Sequence, residues 1–418
     1  MLELAVAAAF LLVPLGRWFF ATQGHRRRVD ALDVRVHVNG IRGKSSVTRC
    51  VAGVLREAGY TTIAKTTGSA AVVIDQDGVD RPIVRTGPAT ILEQIEIIRR
   101  WLTPKTNALV IECMAINPNY QRVCERQIVR SQIGVLTNVR EDHQDVMGET
   151  LPEIAESLLN TCPLNGVLIT AEINPEIVPV IERIAASRGT ELVVVRAEDV
   201  APGEMRGFRH IEFEENVAIG LEVARRLGID REVALRGMYA AEPDPGVLRV
   251  ENTLIHPRPG QADRAPVTVT WANMFAVNDR ESTIAVMERL KRFTTVETAT
   301  VAILNNRPDR QQRAVQFADI ASVDLDTDYL VTFGSFERVV TERLIANGYP
   351  QDRILNLCDD RNPTWDEIVD EMLLGLGVEQ ILLAGLVNSH AHQAEQMMEF
   401  YEHAETTELL LADAVSQS

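Results

Sequence analysis

Val34-Arg35-Val36-His37-Val38-Asn39-Gly40-Ile41-Arg42-Gly43-Lys44-Ser45-Ser46-Val47-Thr48 is the stretch from which the fold of this chain is read. An apolar, branched run feeds a turn with two glycines, and Gly-Lys-Ser then opens a helical stretch over Ser45–Glu57. That order predicts a phosphate cradle. Backbone N–H groups of the turn and helix N-terminus face an anion, the lysine adds charge, and the serine hydroxyl can ligate Mg²⁺. The cradle is not a strict Walker sequence, because Val38 stands where the first glycine is wanted and Gly40 is used instead. A serine-capped glycine turn is the plain structural alternative. It does not account for Arg42 and Lys44 crowding one anion-sized turn.

Outward from the cradle, Ala108–Ile111, Ile133–Asn138, Val167–Thr170 and Leu192–Val195 are short, apolar and strand-like. Helical candidates lie between or beside them at Thr90–Trp101 and Leu151–Leu159, and two more run from Glu214 to Leu227 and on to about Met238. Such alternation predicts a mainly parallel sheet covered by helices. Glu242-Pro243-Asp244-Pro245-Gly246 reads as a linker. Beyond it a second alternating series predicts a smaller α/β domain, with strands near Leu248–Asn252, Val267–Trp271, Thr300–Leu304, Tyr329–Phe333, Ile354–Leu355 and Gln380–Ala384. From Glu405 on, a surface helix or frayed tail is expected.

Leu4 to Ala21 is almost wholly apolar, broken by Pro14, Gly16 and Arg17 and followed by His25-Arg26-Arg27-Arg28. Its length is marginal for a span of about 20 residues. Glu3 before the run argues against a cleaved signal, and the basic cluster after it places the bulk of the chain on the cytoplasmic side of a cell membrane. The expected domains are therefore a membrane-anchor helix over 1–24, a phosphate-loop domain over 25–243 and a C-terminal α/β domain over 244–418. A packed amphipathic helix is the alternative for the first of these.

The chain has 418 residues and a net charge of -17, which argues against nucleic acid as a partner, since phosphate backbones need a basic surface. Its five cysteines form no C-x-x-C pair and read as reduced thiols.

Two further candidates carry chemistry. Glu112 ends the apolar run Ala108–Ile111, and a carboxylate at the C-terminal end of a parallel strand is placed to hold a metal or orient water. His143, in Thr137-Asn138-Val139-Arg140-Glu141-Asp142-His143-Gln144-Asp145, lies among acids just past another strand and is a metal-ligand candidate.

The shortened cradle, the strand-ending Glu112 and the Asn-(x3)-Asp-His-x-Asp run together resemble the Mur ligase superfamily of ATP-dependent amide ligases. In the second domain, Gly246-Val247-Leu248-Arg249 resembles that family's interdomain arginine segment. Asn278-Asp279 resembles its ribose-contacting acid, and Asn216 after His210 its adenine-side asparagine. The layout is most similar to one branch, the ligase subunits of poly-γ-glutamate synthases. The marks are the hydrophobic N-terminus, Val38–Ser45, Arg85-Thr86-Gly87-Pro88-Ala89-Thr90, Glu112-Cys113-Met114, Asn278-Asp279-Arg280-Glu281-Ser282-Thr283 and Leu304-Asn305-Asn306-Arg307-Pro308-Asp309-Arg310.

The resemblance implies ATP and Mg²⁺ as cofactors. Lys44 and the Gly40–Ser46 backbone would hold the β- and γ-phosphates, Ser45 one Mg²⁺, and Glu112 with His143 a second. Arg249 would reach the γ-phosphate, Asp279 the ribose, and Arg310 the interdomain cleft, although Asn305–Arg310 also reads as a proline-started helix. It implies activation of a γ-carboxylate as an acyl phosphate, which a glutamate amine then attacks. The implied partners are glutamate and the growing polyglutamate chain, the membrane, other synthase subunits and further copies of this chain.

Two features depart from the superfamily pattern. The expected anchor would stand in the place of the nucleotide-sugar domain, and no lysine lies between Lys105 and Lys291 to serve as the carbamylated residue many members use. A folate polyglutamylating enzyme and a membrane-linked P-loop kinase or ATPase are the rival readings. A GTP switch is disfavoured because no Asn-Lys-x-Asp element is present.

Overall fold

A computed structural model describes residues 16–408, apart from 18, 68–70, 86, 209, 245–247, 249, 258–263, 276, 278, 389–391 and 405. The described chain forms two compact units. The first runs to Phe208 and resumes from Glu212 to Asp244, and the second holds His210–Ile211 and the residues from Leu248 on.

The first unit is built on eight strands: β1 (Val34–Asn39), β2 (Thr62–Thr66), β3 (Val72–Ile74), β4 (Asp80–Pro82), β5 (Ala108–Glu112), β6 (Ile133–Leu136), β7 (Val167–Thr170) and β8 (Glu191–Val194). Their order is β4-β3-β2-β5-β1-β6-β7-β8. β2, β5, β1, β6, β7 and β8 run parallel across the body of the sheet, while β3 and β4 add antiparallel pairs at one edge. The chain moves from β1 outward to β2 and later returns to β1's other side as β6, so the order reverses around β1. Ligand crevices form at such a switch point, outside the carboxyl ends of the strands.

Alternation along β1 divides its side chains between two layers. Val34, Val36 and Val38 pack with Val47, Val51 and Leu55 of the helix Lys44–Glu57 and with Val217, Leu221 and Met238 of the helices Glu214–Arg226 and Arg231–Tyr239. Two glycines let helices cross closely here, since a Cβ on Gly53 would lie 2.2 Å from the Gly237 carbonyl oxygen. On other parts of the sheet, Leu109 and Ile111 meet Ile97 and Ile98 of the helix Leu92–Trp101. Leu136 and Leu168 meet Ile154 and Leu158 of the helix Leu151–Leu158.

The second unit has seven strands: β9 (Val250–Ile255), β10 (Val267–Asn273), β11 (Thr298–Asn306), β12 (Tyr329–Gly334), β13 (Ile354–Asn356), β14 (Gln380–Leu386) and β15 (Thr406–Glu408). In the order β13-β12-β11-β14-β10-β9-β15, the first five are parallel, and β9 and β15 add an antiparallel edge. Trp271 stacks on Tyr401 in its core, with ring centroids 4.9 Å apart.

Several sequence expectations need correction. β2 and the β3–β4 hairpin were not anticipated, because their runs are short and polar residues interrupt them. Asn305 and Asn306 complete β11, so the helix that follows begins at Gln311 and not at Pro308. Thr406–Glu408 pairs with β9 as a strand, where a helix or frayed tail was expected. For the N-terminal helix, residues 1–15 lie outside the described residues. Residues 19–30 are helical, and among the described residues no helix is long and apolar enough to cross a membrane.

Candidate active site

β1, β5 and β6 deliver their carboxyl ends to one cavity of about 340 Å³ in the first unit. Its lining includes Asn39, Gly40, Arg42, Lys44, Thr67, Arg85, Glu112, Asp142 and His143. The loop between β1 and its helix is held open by backbone geometry. Gly40 has φ +134° and Gly43 has φ +78°, both in the region that favours glycine. A Cβ on Gly40 would lie 2.0 Å from the Thr137 hydroxyl, so neighbouring β6 excludes any side chain there.

The loop is clamped from β6. Asn138 accepts from the Arg42 N–H through Oδ1 at 3.0 Å and donates from Nδ2 to the Arg42 carbonyl at 3.1 Å. The Thr137 hydroxyl donates to the same carbonyl at 2.6 Å, and the Ile41 N–H reaches the Asn138 carbonyl at 3.2 Å. Lys44 Nζ donates to the carbonyls of Gly40 and Ile41 at 2.8 and 3.0 Å. Burial pushes the Lys44 pKa down, and nearby Glu112 opposes that. The N-cap of the helix Lys44–Glu57 is Gly43, which has no side chain to offer, and its first turn contains no acid. The positive helix end and its backbone donors are thus left for an exogenous anion.

Glu112, 2% exposed, sits at the centre of the opposite clamp. Its Oε2 accepts from Ser45 Oγ and the Thr67 N–H, both at 2.8 Å, and its Oε1 accepts from Thr67 Oγ1 at 2.6 Å. Serine hydroxyl and carboxylate are hard oxygen donors, and Mg²⁺ is usually held by one or two carboxylates plus waters and substrate phosphates. The donor set fits a divalent ion of that kind. Among the described residues no three His, Cys, Asp or Glu side chains gather as a metal cage. An ion held at Ser45 and Glu112 would therefore draw its remaining ligands from substrate and water.

His143 lines the same cavity but is less constrained. Its side chain is 46% exposed, its backbone adopts φ +49°, and its Nε2 lies 3.8 Å from Asp142 Oδ1. Asp142 also pairs with Arg42 at 3.4 Å.

The remaining expected residues have separate positions. Asn39 is buried, and its Nδ2 donates to Gln121, the Leu158 carbonyl and Thr161, so its amide braces neighbouring elements. Ser46 is half-buried in the first helical turn. Asn216 packs against the loop, where a Cβ on Gly43 would meet its Oδ1 at 2.8 Å, and it donates to Glu212 at 2.7 Å. In the second unit, Asp279 caps the helix Arg280–Leu290 by accepting from the Ser282 N–H at 2.8 Å. Arg310 is the N-cap residue of the helix Gln311–Asp319 and lies 4.0 Å from Asp309. Arg249 lies outside the described residues. Thr67, Thr137 and Asn138 were not singled out as site residues. The last two were visible only as part of a strand-end run, and Thr67 follows a strand the sequence did not reveal.

Comparison with known proteins decides the family. The chain is 36% identical over 399 residues, 95% of its length and 96% of the relative's, to the protein described as PGA synthase CapB of Bacillus subtilis (strain 168). The chain belongs to the CapB family. Residues 38–225 match the Mur ligase middle domain, and residues 261–404 match the poly-gamma-glutamate synthase CapB C-terminal domain. Solved structures share the fold at low identity. One is MurF from Acinetobacter baumannii (13% identical, 91% of this chain and 80% of that one, TM-score 0.61). Another is a bifunctional folylpolyglutamate synthase/dihydrofolate synthase from Yersinia pestis, complexed with AMPPNP and a Mn ion (13%, 91% and 93%, TM-score 0.57). CapB membership and the Mur-type fold make the chain an ATP-dependent ligase and set aside the kinase and GTP-switch readings.

Proposed function

We infer that the chain is the ATP-dependent amide ligase of poly-γ-glutamate synthesis, activating a γ-carboxylate and joining it to a glutamate amine. Its family membership over nearly the whole chain carries this reading. The cavity supplies the chemistry the reaction needs. The uncapped helix end and Lys44 hold phosphate, while Ser45 and Glu112 offer oxygen ligands to a divalent ion, for which we propose Mg²⁺. Bound there, the ion would neutralise charge on the transferring phosphoryl group. Little covalent work falls to the protein. Its contribution is to keep the carboxylate and the phosphate in line and to meet developing charge with fixed donors.

Arg249, Asp279, Arg310 and the second-ion role of His143 with Glu112 keep their nucleotide-site assignments as part of this proposal. So do attachment of the N-terminal segment to the cytoplasmic face of the cell membrane, association with other synthase subunits and self-association.

The test is mass spectrometry of products made from ATP, Mg²⁺ and glutamate by membranes that contain this chain and its partner subunits. A ladder of γ-linked glutamate oligomers is expected. Phosphate release that is indifferent to glutamate, with no oligomer formed, would overturn the reading.

A further inference from the structure

Beside the phosphate loop lies a charge cluster that phosphate and metal binding do not use. Lys65, at the end of β2, is fully buried, and its Nζ is 3.2 Å from Glu93 Oε1. Glu93 stands in the first turn of the helix Leu92–Trp101. Arg85, on the loop after β4, grips the same carboxylate bidentately, Nε to Oε2 at 2.6 Å and Nη2 to Oε1 at 3.0 Å. Gln94, fully buried beside Glu93, donates to the Glu112 carbonyl at 3.2 Å. This cluster is therefore fixed relative to the metal-side carboxylate.

Exposure and unused donors separate Arg85 from a plain structural pair. Glu93 faces two cations, Arg85 through two hydrogen bonds and Lys65 at 3.2 Å, and Lys65 also feels the charge of Glu112. Burial holds the Lys65 pKa below its ordinary value, with Glu93 and Glu112 opposing that in part. Arg85, unlike Lys65, keeps its side chain 32% exposed and lines the cavity. A guanidinium has five N–H donors, and among the described residues Glu93 uses two of them. On the β6 flank, by contrast, Arg42 is already met by Asp142.

We propose that Arg85, held in place by Glu93 and Lys65, binds an α-carboxylate of the γ-glutamyl chain whose terminal γ-carboxylate is activated at the phosphate loop. This rests on the ligase reading and names the group that reads its substrate. A γ-linked glutamate chain carries one free α-carboxylate per residue, and a planar guanidinium matches that group in two-point contact. With a protein charge of -17 opposing a polyanion, a local fixed cation is needed to seat the chain end. The flanks then divide the work, with the β1 loop taking phosphates and the β2–β4 side taking carboxylates. Phosphate oxygens share the same chemistry, so the experiment must separate the two ligands.

The full-length protein is titrated calorimetrically with γ-linked pentaglutamate, with the same peptide carrying α-carboxamides, and with AMPPNP plus Mg²⁺. Arg85→Ala is expected to weaken pentaglutamate binding at least tenfold, and Arg85→Lys less, with AMPPNP affinity within twofold of wild type in both. Wild type should bind the carboxamide peptide as weakly as Arg85→Ala binds the acid. That arm needs no variant and stands even if a substitution unfolds the protein. Equal binding of acid and carboxamide by wild type, or no binding of either, overturns the assignment. An equal loss of AMPPNP affinity in Arg85→Ala would assign Arg85 to phosphate and overturn it too. Glutamate-dependent ADP release by wild type is measured alongside. Its absence counts against the ligase reading, while the binding comparison decides Arg85.

Discussion

The two flanks of the cavity are built differently. On the β5 side, Glu112 is buried and accepts three hydrogen bonds from Ser45 and Thr67, so its carboxylate is locked before any ligand arrives. On the β6 side, His143 is nearly half exposed, and the Arg42–Asp142 pair is long and partly solvated. Exposed pairs of that kind contribute little, on the order of 0–1 kcal/mol. The difference separates residues that are preorganised from residues that must be ordered by substrate. Catalysis by fixed charge relies on the first kind, because reorganisation at the moment of reaction is avoided.

Substitutions in the phosphate loop and on the locked side should therefore cost most. Lys44→Ala removes the cation that closes the loop onto its own carbonyls. Steady-state ADP release should fall by about 10²–10³-fold in kcat, with the fold intact by circular dichroism. Glu112→Gln should follow, with a loss of about 10²-fold in metal-dependent turnover. It keeps the volume and can still accept from Ser45 and Thr67, so thermal stability should change little compared with activity. A Glu112→Gln protein that melts far below wild type yet turns over normally would make Glu112 a purely structural residue.

The locked flank was legible in sequence only in part. Glu112 stood out because it ends the uninterrupted run Ala108–Ile111, and the loop because Gly40, Gly43, Lys44 and Ser45 are contiguous. Thr67 did not, since it follows β2, where Thr62-Ile63-Ala64-Lys65-Thr66 lacks a continuous apolar pattern. Its burial comes from pairing with β5 and β3, a long-range fact that local periodicity does not carry. The same strand hid Lys65, whose ammonium is tolerated inside because Glu93 meets it and Glu112 lies near. In the second unit the parallel strands were legible as apolar runs. β15 was not, because its pairing with β9 joins segments about 150 residues apart.

The loose flank predicts a smaller and separable effect. His143 holds a left-handed backbone that costs a non-glycine residue roughly 1 kcal/mol. His143→Gly should relieve that strain and leave thermal stability unchanged or slightly raised, while His143→Ala keeps it. If the imidazole contributes to the second ion, both variants should raise the Mg²⁺ concentration for half-maximal activity by about 10–100-fold. A matching activity loss in Ala alone, rescued in Gly, would show that the residue acts through backbone shape and not through its ring.

The smallest expected effect lies beneath the loop, on the hidden face of β1. His37 is fully buried, and its Nδ1 pairs with Glu125 Oε2 at 2.8 Å, a carboxylate that Ser131 also holds through its N–H and hydroxyl. Burial alone would lower the His37 pKa. The adjoining Cys113 and Glu125 outweigh it and raise the value to about 9. A folded pKa above the unfolded value of about 6.5 means that protonated His37 stabilises the fold fully below that pH. The contribution is lost as pH climbs from there through about 9. The Cys113 thiol, held well below its ordinary pKa by hydrogen bonds from Cys124 and His37, titrates in the opposite sense over the same range, so the fall in stability with pH is expected in urea unfolding of a Cys113→Ser protein. Glu125→Gln added to that protein should start lower at pH 6 and give a flatter profile, since the amide cannot hold the imidazolium. Parallel profiles for the two proteins would mean that His37 is neutral throughout. The loop above it would then rest on an uncharged strand, and the contrast between the flanks would owe nothing to buried charge beneath β1.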